Sequence, residues 1–449
     1  MLKRIIFTSL VSVLFLGCLN KQTTIVQTKI KYETVYLSAN KLNKKDPKDL
    51  EVYPQNAQSY TKNIKNLTKR QKDKLYKEFF ELYFRPWNVS KMTMSKKNAF
   101  WGNNYARSKM YGENYRRISK EWFERIIKLS NMPKFASVKQ RAITVRNSDL
   151  KVFPTSKPMF KRFDQAGEGF PFDYNQNSSI NLNSPLYISH YSTDNGWAFV
   201  ESSFASGWIS VQDIATVDAD VIGKFKSENS YYVAIKDNFP LYKSYVFKDY
   251  VKLGTLFPLR KGKFATVIRD NTGKGYISRV DRNKNIVSFP IKFNKKNLNM
   301  VINQLIKQPY GWGGLYGNRD CSLLTKDLLT PFAFPLQRNS FGQTRNGKYI
   351  SLEGKSNWQK KHILKTQGIP FLSLVYIPGH IALYIGTYDG EPMIFHSTWG
   401  VKTIKNGVEG RHIVGKSVIS SLELGKELED YNPKKSIIYK VKGLVLLTK

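Results

Sequence analysis

The chain has 449 residues, 41% of them hydrophobic and 14% aromatic, which allows several packed domains and excludes a chain disordered throughout. Its 72 Lys and Arg against 34 Asp and Glu give a formal charge of +38, a field that draws polyanions such as lipid headgroups or surface polysaccharide. The basic residues are scattered, with no dense arginine block and no nucleic-acid motif, so nucleic acid is not an expected partner, and a Lys- and Asn-rich compositional habit explains the charge equally well.

The start of the chain has the form of a secretion signal: Lys3 and Arg4, the apolar stretch Ile5 to Leu16, then Gly17-Cys18. The stretch is shorter than the roughly 20 apolar residues that span a bilayer, and its charged front and small residue before the cysteine mark a cleavable segment. Residues 1–17 are therefore expected to be a lipoprotein signal peptide and Cys18 the lipidated N-terminus, although Phe15 stands where such signals usually carry Leu. An ordinary signal peptide with a chance cysteine is the alternative. Several acyl chains would hold the protein at the membrane. Leu19 lacks the aspartate associated with inner-membrane retention, so the expectation is a cell-envelope lipoprotein on the periplasmic face of the outer membrane. With Cys18 so used, Cys321 is the one thiol left, and no disulfide framework can form.

Residues 18–50 are polar and end in Lys44-Lys45-Asp46-Pro47, which predicts a flexible tether. Residues 51–135 are expected to be a helical N-terminal region. Leu75, Tyr76, Phe79, Phe80 and Tyr83 recur at helical spacing up to Pro86, and Tyr115, Ile118, Trp122, Phe123, Ile126 and Ile127 do so again before Pro133. Residues 136–218 carry short β-type runs at 142–145, 186–190, 197–200 and 207–211, and residues 219–295 a comparable set at 231–235, 254–259, 264–268 and 275–278. Each set suggests a small barrel. Residues 296–449 are expected to be an α+β domain, with a helix over 298–306, a second helix starting at Cys321, and strands at 372–376, 381–385, 392–395 and 437–441.

A thiol nucleophile needs a base, and the base needs an orienting group. Of the five histidines, His190 falls in the first barrel region, His362 in a Lys-rich stretch, and His412 has no evident partner. His380 and His396 sit on adjacent predicted strands, which a hairpin near Tyr388-Asp389-Gly390 would set side by side. His380 would then take the Cys321 proton and His396 would orient it. A helix N-terminus and a neighbouring imidazolium both lower a thiol pKa, and the Cys321 backbone N–H is placed to serve an oxyanion.

Pro309-Tyr310-Gly311-Trp312-Gly313-Gly314, Asp320-Cys321-Ser322, Leu336 to Ser340 with Gln343, Gly379 to Gly386, and His396 with Trp399-Gly400 together resemble the NlpC/p-sixty cysteine peptidases of bacterial cell walls. Asp173 to Ser178, Asp194 to Trp197, Gly207-Trp208 and Phe84 to Trp87 resemble the branch in which a helical region and two bacterial Src-homology-3 barrels precede a papain-like domain. The resemblance spans residues 51–449.

It implies hydrolysis of the amide between γ-D-glutamate and a diamino acid in peptidoglycan stem peptides. Cys321 would be the nucleophile, His380 the base, His396 the orienting residue, and Tyr310 would lie near the oxyanion. No cofactor or metal is implied. Asp320, with Ser322 and a barrel residue, Asp173 or Tyr174, would hold the free amine of a terminal L-alanine. Leu323 departs from the family's usual glycine after Asp-Cys-Ser and is expected to affect helix packing or site width. The alternative is a non-catalytic peptidoglycan-binding lipoprotein with a vestigial peptidase domain.

Overall fold

The computed structural model describes residues 45–226 and 230–448. The expected signal peptide, Cys18 and most of the expected tether lie outside the described residues.

The last part of the expected tether is folded. Asp46 pairs with Lys416 at 2.7 Å, and Asp49, at the start of α1 (Asp49–Val52), accepts a 2.8 Å hydrogen bond from the Ser421 N–H. Gln55 then exchanges two bonds with the Ile419 backbone, at 2.7 and 3.0 Å. Its side-chain amide thus substitutes for a neighbouring strand on the outer edge of the Val408–Ser421 strand, next to the stretch that the 307–310 backbone already covers.

In the helical region, Thr68 caps α2 (Lys69–Tyr83) through a reciprocal bond with Gln71. The helix stops at Phe84, and Pro86 sits in the first turn of α3 (Arg85–Asn88), where its missing N–H costs nothing. α4 (Lys120–Leu129) is shorter than its apolar pattern suggested: Tyr115 lies before it with a left-handed φ of 63° and is exposed. These helices do not form a core of their own. Phe79, Phe84 and Trp87 pack with Ala215, Tyr231 and Val267 from the β-rich regions, and the Trp87 indole N–H donates to the Ala142 carbonyl at 2.8 Å.

The first β-rich region is one antiparallel sheet in the order β3-β2-β6-β5-β4-β1-β7. Its strands are β1 (Gln140–Thr144), β2 (Ser148–Lys151), β3 (Gln176–Ile180), β4 (Pro185–Tyr191), β5 (Trp197–Glu201), β6 (Ser206–Ser210) and β7 (Ile214–Thr216). Sequence patterning missed β2 and β3 because their buried positions include Lys151, Gln176 and Ser178. These polar groups are paired instead: Lys151 donates to Gln176 at 2.6 Å, and the Ser178 hydroxyl accepts from Arg338 at 2.7 Å.

The second β-rich region holds β8 (Tyr231–Ala234), β9 (Phe239–Lys243), β10 (Val246–Val251), β11 (Leu256–Arg260), β12 (Lys263–Arg269), β13 (Gly275–Val280) and β14 (Ile286–Ser288). β9 and β10 form a separate hairpin, and the other strands run in the order β13-β12-β11-β8-β14.

In the C-terminal region α5 (Lys295–Asn303) and α6 (Cys321–Leu329) pack on a six-stranded sheet. The sheet order is β15-β20-β16-β17-β18-β19, from β15 (Lys348–Ser351), β16 (Ser373–Ile377), β17 (His380–Tyr388), β18 (Glu391–Lys405), β19 (Val408–Ser421) and β20 (Gly443–Leu446). Between β15 and β16 lies α7 (Asn357–Gln367). The strand expected at 437–441 is a helix, α8 (Ile437–Lys440), with the strand β20 following it. Ser436 caps α8 by accepting from the Tyr439 N–H, and Ile438 and Val441 are buried three residues apart with Tyr439 exposed between them, a helical spacing.

Candidate active site

The position of Cys321, the candidate nucleophile, is set by its own helix start. Asp320 is the N-cap of α6, accepting from the Leu323 N–H at 2.8 Å. The turn before it is tight: Gly313 and Gly314 have φ of 60° and 88° and press on the first sheet, where a Cβ would lie 2.6 Å from Gln176 and 2.1 Å from Ser179. Cys321 is 8% exposed.

The two candidate histidines come from the sheet. The pairing Leu383↔Phe395 continues to set Ala382 opposite His396, so His380 lies diagonally from His396 on one face. His380 Nε2 and His396 Nδ1 are 2.8 Å apart, and His396 Nε2 is 3.1 Å from the Ser420 hydroxyl. Ser420 gives its single proton to the Ser421 carbonyl at 2.8 Å. It must therefore accept from His396 Nε2–H. That makes His396 Nδ1 an acceptor and His380 Nε2 a donor, leaving the lone pair of His380 on Nδ1. The proton positions follow from this hydrogen-bond network. Ser420 is the member of the relay that sequence reasoning missed.

Cys321, His380 and Tyr310 line one cavity of about 310 Å³, at the small end of ligand sites. Its aromatic walls are Trp312 and Trp399, with Phe172 from the first β-rich region, whose ring lies 5.2 Å from Trp312 and 5.8 Å from Trp399. A larger cavity of about 670 Å³ lies behind the Gly314–Arg319 segment, lined by Asp149, Lys151, Asp173 and Lys252. Neither a thiol nor an imidazole lines it, so chemistry rather than size identifies the candidate site.

Burial pushes the Cys321 thiol up to about 12, and the Asp320 charge adds to this, against the Ile381 and Ser322 N–H groups and Arg338, which favour the thiolate. Burial likewise takes His380 down to about 4 and His396 well below the usual imidazole range. The expected lowering of the thiol by its helix is outweighed by desolvation. The resting pair is neutral.

The remaining predicted residues are elsewhere. Asp320 takes Arg338 at 2.6 and 3.1 Å, the Ser322 hydroxyl at 3.0 Å, and the N–H groups of Gly313 and Leu323 at 3.1 and 2.8 Å. Five donors fill a carboxylate's acceptor sites. Burial would raise Asp320, but the Arg338 charge wins and holds it low. Asp173 lines the other cavity, where it accepts from the Met159 and Asn175 N–H groups. Tyr174 donates to Glu168 at 2.7 Å, and its ring lies 5.9 Å from that of Trp312 without lining the Cys321 cavity. Phe172, beside them, is the residue this region sends into that cavity. Leu323 is buried and lines the larger cavity and a small one beside it rather than the Cys321 cavity, so it does not narrow the site. Among the described residues, no group of three or more His, Cys, Asp and Glu side chains is placed to hold a metal ion.

Residues 7–135 match the family described as the NLPC_P60 stabilising domain, N-terminal, and residues 158–210 match the SH3 domain of SH3b1 type. The chain is similar to the structure of an NlpC/P60 endopeptidase from Photobacterium damselae subsp. piscicida, at 28% identity and a TM-score of 0.81 over 88% of this chain and 98% of that one. A Bacillus cereus NlpC/P60 family protein aligns at 15% identity and a TM-score of 0.43, over 69% of this chain and 100% of that one. Comparison with curated proteins gave no match.

Proposed function

We propose that this chain, which belongs to the NlpC/P60 endopeptidase family, is a cysteine peptidase that cuts the γ-D-glutamyl–diamino acid amide of peptidoglycan stem peptides. The observation that carries the reading is the directed relay from Ser420 through His396 to His380, which leaves a basic nitrogen for Cys321. As the Cys321 sulfur attacks the amide carbonyl, its proton passes to His380 Nδ1. The imidazolium so formed keeps its Nε2–H bond to His396. The Cys321 N–H and the Tyr310 hydroxyl face the oxyanion. His380 then protonates the departing amine as the C–N bond breaks and a thioester remains. Water, deprotonated by His380, cleaves the thioester and restores the thiol.

The same reading includes lipid anchoring through Cys18, a position on the periplasmic face of the outer membrane, and a preference for peptides with a free N-terminal L-alanine. The snug aromatic walls, one from the SH3-type region, support short released peptides over intact wall. With its oxygens filled by Arg338 and its neighbours, Asp320 supports the turn, and a substrate amine would need another partner.

Digesting muropeptides and free tripeptides with wild type and Cys321→Ala tests this. Wild type should release a product beginning with the diamino acid, identified by mass spectrometry, and Cys321→Ala none. Equal products from the two proteins, or cleavage at another bond, would refute it.

A further inference from the structure

The Cys321 cavity contains a cluster of cations that is compensated only in part, by the more distant charges of Glu409 and Glu168. Lys402 on β18 and Arg411 on β19 are direct cross-strand partners, and both line the cavity together with Lys440 on α8 and Lys435 just before it. Like charges opposite one another weaken a strand pair. Here they are also partly buried. Among the described residues no carboxylate comes within 4 Å of Lys402, Arg411 or Lys440. Lys435 alone has such a partner, Glu409 at 3.8 Å. Burial, then the charges of Lys440 and Arg411, lower Lys402, and burial, then Lys435, lower Lys440, with Glu409 opposing the shift in both. Arg411 spends one N–H on the Ala166 carbonyl at 3.5 Å, which fixes its head at the edge of the SH3-type region. A half-buried cluster that opposes folding and opens beside a nucleophile fits an anion that arrives with the substrate.

We propose that Lys402, Arg411 and Lys440 form a carboxylate-binding subsite of the Cys321 cavity, selecting substrates whose carboxylates near the scissile amide are free rather than amidated. This rests on the peptidase reading above. Stem peptides offer two sources of that group, the α-carboxylate of D-glutamate and the carboxylates of the diamino acid. The chemistry of recognition is the same for both, with the planar Arg411 fork suited to a bidentate contact and the lysines supplying charge.

The test compares kcat/KM on three peptides of one sequence: unmodified, amidated at D-glutamate, and amidated at the diamino acid. Wild type should favour the unmodified peptide over one amidated form by about tenfold or more, and the disfavoured form identifies the source. In Lys402→Gln and Arg411→Gln that ratio should shrink to about threefold or less, chiefly through KM. Lys440→Gln provides a third case should either strand variant fold poorly, as judged by thermal melting. The same peptides are titrated calorimetrically against Cys321→Ala and against Cys321→Ala carrying Lys402→Gln. Tighter binding of the free carboxylate, lost with Lys402, supports the subsite even where turnover is absent. Equal turnover and equal binding of all three peptides by wild type and Cys321→Ala would overturn the subsite, as would variants that weaken all three alike. Failure to cleave any stem peptide counts against the peptidase reading alone.

Discussion

At the scale of single residues, the feature that sets the chemistry is a serine hydroxyl. Ser420 has one proton, and its donation to the Ser421 carbonyl fixes both histidine tautomers in turn. Ser420→Ala leaves His396 Nε2 without that acceptor in a fully buried place, so the reverse tautomer becomes competitive. We expect kcat to fall about tenfold, ~1.4 kcal/mol of transition-state stabilisation, with KM little changed. Ser420→Thr should restore much of the loss, and steady-state kinetics on a stem peptide would show it. Cys321, His380 and His396 stood out in the sequence because each lies in a linear run with Gly, Asp or β-branched neighbours, and the structure brings Cys321 and His380 to one cavity and the two histidines to 2.8 Å. Ser420 did not, since a serine on a strand carries no mark of what its hydroxyl touches. The cations of the cavity were hidden for a different reason: they come from three elements, and 72 basic residues mask any three.

At the scale of elements, the start of α6 is held by an ion network two residues before Cys321. Arg319, 2% exposed, takes Asp237 from the second β-rich region with two 2.8 Å bonds and Asp327 from its own helix with one more of 2.8 Å. Burial would raise Asp237, but Arg319 outweighs it and holds the carboxylate well below its usual range. Removing one partner leaves buried charge behind, so Arg319→Ala should cost about 3–5 kcal/mol, measured by urea unfolding. Arg319→Met, which buries an apolar chain but also strands two aspartates, should not rescue it unless Asp237 and Asp327 are changed as well. Element types were mostly legible where apolar residues repeat, as in α2 and β17. They were illegible where polar side chains are buried and paired, as in β2 and β3, and where a capping serine overrides an apolar run, as at Ile437–Lys440.

At the scale of the whole molecule, His190, His380 and His396 are all lowered by burial. Each binds its proton less readily folded than unfolded, so its contribution to stability is intact above the unfolded value of about 6.5 and is lost as pH falls through the folded value. For His380 that window extends down to about 4. Stability should therefore decline below pH 6.5, by up to about 1.4 kcal/mol per pH unit for each histidine unprotonated in the fold, as thermal melts across pH 4–8 would show. A flat profile would contradict the burial of the relay. The segment that runs along the outer edge of β19 bears on how the protein can be divided. Asp49 and Gln55 grip Ser421 and Ile419, the two residues flanking Ser420. A fragment beginning at Lys295 would hold Cys321, His380, His396 and Ser420 and still lack the outside clamp on either side of Ser420. The unit of function is thus larger than the unit that contains the chemistry, and a working boundary for expression or grafting falls before Asp46.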